Sequence, residues 1–123
     1  MYTKKTLQRF QKPKFAKAMK NADAVGKVGN MKCGDAMKIY LKVKKDRIKD
    51  ISFQTYGCVA AIACTDALCE LAKGKTIDNA KKLQYKQIIS KLGDLPPIKY
   101  HCSVLGIEAL QEAIKNYKKK NKS

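Results

Sequence analysis

The stretch Met37-Lys38-Ile39-Tyr40-Leu41-Lys42-Val43-Lys44-Lys45-Asp46-Arg47, continued by Ile51-Ser52-Phe53-Gln54-Thr55, decides the fold. Met37, Ile39, Leu41 and Val43 alternate strictly with Lys38, Tyr40, Lys42 and Lys44, the period of a strand with one buried and one wet face. Beyond the polar turn Lys44 to Arg47, Ile51, Phe53 and Thr55 mark one face of a second strand, so the pair reads as an antiparallel hairpin. A hairpin sets the start of its first strand beside the end of its second. Residues 33–35 and 57–58 should therefore be spatial neighbours, and Cys33 and Cys58 bracket the hairpin.

On the C-terminal side the period changes. Val59, Ile62, Ala63, Ala67, Leu68, Leu71 and Ala72 recur every three or four residues up to Gly74, which predicts a helix with one apolar face. A short helix is expected from Thr76 or Asp78 to Leu83, and another from Tyr85 to Leu92 with Gly93 as its stop. Pro96 and Pro97 break the chain before a last helix that starts near His101 or Cys102 and packs through Leu105, Leu110, Ala113, Ile114 and Tyr117. On the N-terminal side the periodicity is weak: residues 1–30 read as a short helix or irregular arm leading to Gly26 and Gly29, with residues 1–20 as a flexible arm, and residues 118–123 as a basic tail. The whole, residues 1–123, reads as one α+β domain, a small antiparallel sheet of about three strands with helices packed on one face.

Lys and Arg number 27 against 10 Asp and Glu, a formal net charge of +17. Such charge raises the question of nucleic acid. All but two of these cations are Lys, they are spread along the whole chain, and no aromatic-rich basic stripe accompanies them; base reading favours the Arg fork. The composition fits a solvated lysine surface and argues against a nucleic-acid module. No apolar run approaches the roughly 18 residues of a membrane span, and the N-terminus leads into no apolar signal core. Five cysteines, an odd number without a CxxC pair, fit reduced thiols in a soluble cytoplasmic protein.

The chemistry lies in Cys33, Cys58 and Cys102. Two of these thiols fall at expected helix N-termini, where unpaired N–H groups favour thiolate, and Gly34 and Gly57 leave room beside the sulfurs. Three soft thiolates suit zinc or iron–sulfur chemistry, with a fourth ligand from Asp35 or from His101, the one histidine in the chain. Neighbours on a helix diverge by about 100°, so His101 and Cys102 can share one metal only where the junction is not yet helical. Structural zinc modules bring ligands in close pairs, whereas these cysteines are 25 and 44 residues apart. Cys64 and Cys69 follow Cys58 along the same helix, turned or displaced away from it, and read as buried structural thiols. A Cys–His pair could serve catalysis, but no oxyanion or substrate-positioning motif accompanies it.

The approach Asp23-Ala24-Val25-Gly26-Lys27-Val28-Gly29-Asn30-Met31-Lys32-Cys33-Gly34-Asp35, the motif Thr55-Tyr56-Gly57-Cys58 with Ala61-Ile62-Ala63, and Leu95-Pro96-Pro97-Ile98-Lys99-Tyr100-His101-Cys102-Ser103 together resemble the IscU/NifU-type iron–sulfur cluster assembly scaffold, from about residue 6 to residue 117. The resemblance implies a SufE/NifU-like fold and a non-enzymatic scaffold on which a cluster, typically 2Fe-2S, is built from iron and sulfur and passed to apo-proteins. It implies Cys33, Cys58 and Cys102 as cluster and metal ligands with Asp35 or His101 as the fourth. Cys102 resembles the position that accepts persulfide sulfur from a cysteine desulfurase. Asp35 resembles the carboxylate whose replacement traps the cluster, since a hard oxygen ligand holds iron less firmly than thiolate. Residues Leu95 to Lys99 are similar to the segment that DnaK-type chaperones recognise. Zinc as the occupant, with Cys102 as a sulfur-transfer acceptor, is the alternative the resemblance leaves open.

Overall fold

The hairpin turns on two residues, Lys45 and Asp46, both in left-handed backbone conformation with φ of 54° and 61°. This is the turn whose twist matches that of two flanking antiparallel strands. The computed structural model describes residues 3–30, 35–55, 59–93 and 100–120, leaving aside the side chains of Asn30, Asp35, His101 and Lys120. In chain order the elements are α1 (Lys4–Gln11), β1 (Ala24–Asn30), β2 (Asp35–Lys44), β3 (Arg47–Thr55), α2 (Val59–Ala72), α3 (Ile77–Lys81), α4 (Tyr85–Leu92) and α5 (Tyr100–Lys120). The strands form one antiparallel sheet in the order β1-β2-β3.

Cross-strand pairs Ile39 with Phe53 and Leu41 with Ile51 build the inner face, and all four residues are buried. A bulge at Lys42/Val43 pairs Lys42 with Asp50 and Val43 with Ile48, so Lys49 has no opposite number. The extra residue resets the alternation. Ile48 and Ile51, three apart and on opposite faces of a regular strand, thereby both enter the core.

Helices α2 and α5 cover this inner face, α2 against β3 and α5 across β1 and β2, while α1 and α4 close over α2. Helix α2 is thus central, and ten of its residues, including Cys64 and Cys69, are buried. That differs from the one-sided helix expected from spacing, because neighbours surround it. Gly74, with φ of +85°, lets the chain leave the helix. The short helices match their expected positions, with Thr76 capping α3 and a Gln84/Gln87 capping box opening α4. Helix α5 runs on through Lys118 to Lys120, so the tail begins later than expected. Among the described residues no helix is long and apolar enough to cross a membrane.

The N-terminal region folds rather than trailing away as an arm. Thr3 caps α1 by accepting from Thr6 N at 3.2 Å. Arg9 reaches Asp66 and Glu70 of α2, each at 2.8 Å, and Phe15 N donates to the other oxygen of Asp66 at 2.9 Å. Ala16 then bridges to Phe53 at the outer edge of β3, and Asp23 N donates to Leu41 O as β1 begins. Residues 17–22 must therefore cross between opposite edges of the sheet, over the outer face that the helices leave open. Lys42 Nζ on that face donates to Asn21 O at 3.2 Å. The crossing explains why Tyr40 and Ser52, paired on the expected wet face, are buried.

Strand β1 completes the sheet, and its sequence Ala-Val-Gly-Lys-Val-Gly-Asn shows why it lacks a strand's usual appearance. A Cβ at Gly26 would stand 2.2 Å from Ala109 O and 2.4 Å from Ala113 N of α5. Helix and strand meet there backbone to backbone, with Ala109 and Ala113 fully buried. Asn116 Nδ2 donates to Val25 O at 2.7 Å beside this contact. Gly26→Ala should lower unfolding stability by about 3 kcal/mol, the scale of an overpacked core site, read as an earlier urea midpoint; an unchanged midpoint would contradict the close contact.

Candidate functional site

Each segment that carries a candidate ligand starts or ends at one pole of the sheet. At that pole β1 and β2 close with the pair Asn30 and Asp35, and β3 ends with Thr55 opposite Met37. Thr55 Oγ1 donates to Ala36 O at 2.8 Å, tying the end of the hairpin to its beginning. Helix α2 opens at Val59, four residues beyond Thr55.

Helix α5 joins them through its direction. A Cβ on Gly106 would lie 3.9 Å from Met37 Sδ, Gly26 meets Ala109 and Ala113, and Asn116 reaches Val25. Rising numbers along α5 thus follow falling numbers along β1, so the helix points its N-terminus at the Asn30/Asp35 end. From the Gly26 contact to residue 102 is roughly 13 Å of helix, and from Gly26 to Asn30 roughly 13 Å of strand. The first turn of α5 therefore comes level with the closing pair of the hairpin.

Cys33 and Cys58 lie outside the described residues, as does the segment Leu95–Lys99. Asp35 and His101 are placed by backbone alone, at the start of β2 and in the first turn of α5. The helix already includes residues 101 and 102, whereas sharing of one metal by these neighbours needs a junction that is not helical. Cys102 is described fully, and it is 0% exposed, packed in the core cluster. The sequence suggested a presented thiolate at 102, so its burial is a difference. Its neighbours in the first turn are packed as well: Ser103 is buried with Oγ donating to Tyr100 O at 2.6 Å, and the Tyr100 ring stands 6.4 Å from that of Tyr85 in α4.

Among the described residues no three His, Cys, Asp or Glu side chains converge as a metal site. Cys64 and Cys69 sit wholly inside the core. Burial pushes the Cys69 thiol well above its ordinary range, and the nearby Asp66 and Asp50 charges push the same way, so it stays protonated. A protonated, enclosed thiol is a poor ligand. The residue that sequence reasoning passed over is Asp66. It is an acid in the apolar run Ala-Ile-Ala-Cys-Thr-Asp-Ala-Leu-Cys, and a buried charge demands a partner, here Arg9. The buried thiols Cys64, Cys69 and Cys102 should react with iodoacetamide at least about tenfold more slowly than a small-molecule thiol in the folded metal-free protein, and match it in urea. Fast labelling of Cys102 in the native state, followed by peptide mass spectrometry, would contradict its burial.

The NifU-like N terminal domain family matches residues 1–123. The chain is 50% identical over 121 residues to the protein named iron-sulfur cluster assembly scaffold protein IscU 1 of Archaeoglobus fulgidus, an alignment covering 98% of this chain and 79% of that one. It is 46% identical to the Aquifex aeolicus protein named iron-sulfur cluster assembly scaffold protein IscU, over 94% of this chain and 75% of that one. Among solved structures, the N-terminal part of a nitrogen-fixing NifU-like protein from Brucella abortus superposes with a TM-score of 0.75 at 18% identity, covering 96% of this chain and 94% of that one. At that identity the likeness speaks for the fold.

Proposed function

The chain belongs to the NifU-like N-terminal domain family, and on that premise we propose that it is a scaffold on which an iron–sulfur cluster is assembled and from which the cluster passes to apo-proteins. The observation that carries the reading is the 50% identity, across nearly the whole chain, to a protein named as such a scaffold. The common pole of the strand and helix ends supports it. Zinc held by the same thiolates in a sulfur-acceptor protein is not favoured, since the relatives are named for cluster assembly.

The cluster is cargo, so its site has to grip and then release. The proposed ligands are Cys33, Cys58 and Cys102, with Asp35 as the fourth, or His101 where the first turn of α5 unwinds so that it can share a metal with Cys102, and the cluster a 2Fe-2S one. Thiolates supply the grip for iron, and a carboxylate at Asp35 loosens it, because hard oxygen suits iron less well than soft sulfur. The chain is read as a carrier without catalytic machinery of its own, working in the cytoplasm.

Sulfur is proposed to come from a cysteine desulfurase through Cys102. The Cys102 thiolate attacks the sulfane sulfur of the donor's persulfide, the new S–S bond forms on Cys102, and the donor leaves as thiolate with no net redox change. Reduction of that sulfur to sulfide takes two electrons from a separate reductant. Delivery to the buried Sγ of Cys102 requires the first turn of α5 to move aside. A DnaK-type chaperone acting on Leu95–Lys99 would favour such an opened form.

Anaerobic reconstitution with ferrous iron, sulfide and thiol should give visible absorption with iron and acid-labile sulfide in equal amounts. Cys33→Ser, Cys58→Ser and Cys102→Ser should each abolish it, and Asp35→Ala should slow loss of the cluster to an apo-ferredoxin. Undiminished absorption in all three cysteine variants would overturn the assignment of ligands. Protein purified anaerobically with zinc alone, and unable to take up a cluster, would overturn the function.

A further inference from the structure

A groove of about 760 Å³ runs between α1, the turn that follows it, α2 and α4. Buried Asp66 lies at its base, and Lys5, Arg9, Lys12, Lys14 and Lys91 line its sides. Ion pairs sort these charges into two sets. Arg9 spends both terminal nitrogens on Asp66 and Glu70, Lys91 also pairs with Glu70, and Lys14 Nζ stands 3.8 Å from it. The hydrogen bond from Lys91, then Arg9, holds the Glu70 carboxyl below its usual range against some desolvation, so it is ionised at neutral pH.

Both carboxylates are therefore committed within the protein. Five cations against two anions leave an excess of three positive charges around the groove. Lys5 and Lys12, both exposed, have no acidic partner among the described residues. We infer that this groove is a docking site for an extended acidic segment of a partner protein.

The donor set favours a polypeptide over phosphate. The one guanidinium is already occupied, so no planar fork remains to clamp a phosphate, and the uncommitted lysines act as point charges. Gln8 and Gln11 also line the groove, and their amides can both donate to and accept from a peptide backbone. The volume exceeds what a single phosphate needs. Asp66 stands seven residues beyond Val59, roughly 10 Å along α2. A segment in the groove is therefore held about two turns of α2 away from the pole where β3 passes into that helix.

The test is fluorescence anisotropy with a labelled peptide of alternating Glu and Gly, titrated with the full chain at about 0.1 M salt, where distant charges are largely screened. Lys5→Glu/Lys12→Glu should weaken binding about tenfold or more. Lys44→Glu/Lys49→Glu, exposed lysines on the hairpin with the same change in net charge, should weaken it less than about twofold. Equal weakening by both pairs would reduce the effect to bulk charge and overturn the proposal, as would no measurable binding by the wild type. Duplex DNA binding more tightly than the peptide, with the same dependence on Lys5 and Lys12, would overturn it in favour of a nucleic-acid ligand. Circular dichroism of both variants guards against loss of fold, and failure of cluster assembly leaves this outcome unaffected.

Discussion

The contact between α5 and β1 at Gly26 governs how this molecule is put together. No side chain separates helix from strand there, and the backbone atoms of Ala109 and Ala113 occupy the space that a Cβ at residue 26 would fill. So close an approach fixes both the height of α5 over the sheet and its position along β1. The position matters for function. It brings the first turn of α5, with Cys102, level with the end of the hairpin from which the chain departs toward Cys33.

A second constraint holds the opposite side of the core. Asp66 is a carboxylate buried in the middle of α2, and burial without partners would be costly by several kcal/mol. Arg9 and the backbone N–H of Phe15 supply those partners, so the N-terminal segment is needed to complete the charge balance of the core. The same segment then passes over the outer face of the sheet. The net charge of +17 is therefore of two kinds: a few cations organised around buried or half-buried acids, and a larger number of solvated lysines.

The parts of the fold that could be read from sequence are those in which side-chain pattern and tertiary environment agree. The Met37–Val43 alternation gave the hairpin, Gly74 marked the end of α2, and Thr76 and Gly93 marked the short helices through local chemistry. Strand β1 was hidden because Gly26 answers to a helix that lies more than eighty residues further along. Ile48 escaped the inner-face pattern because a bulge changes the phase of β3. Tyr40 and Ser52 looked solvent-facing because nothing in their own strands announces the crossing of residues 17–22. At the candidate site, sequence located three segments, and the topology of the described elements directs their flanks to one pole. Cys102 is buried in the core cluster, a tertiary outcome that local sequence does not report.

The sheet with α2 and α5 thus directs the ends of several elements to a single pole, while the charged groove over α2 offers a separate hold for a partner. The central proposition is that the thiols of residues 33, 58 and 102 meet at that end. Trivalent arsenic tests it without iron, since arsenite condenses with three thiols to form three As–S bonds and release water. Native mass spectrometry of the reduced protein should find one tightly held arsenic, lost on Cys33→Ser, Cys58→Ser or Cys102→Ser and kept on Cys64→Ser or Cys69→Ser. Retention of arsenic in the three former variants, or its loss in the two latter, would contradict the account.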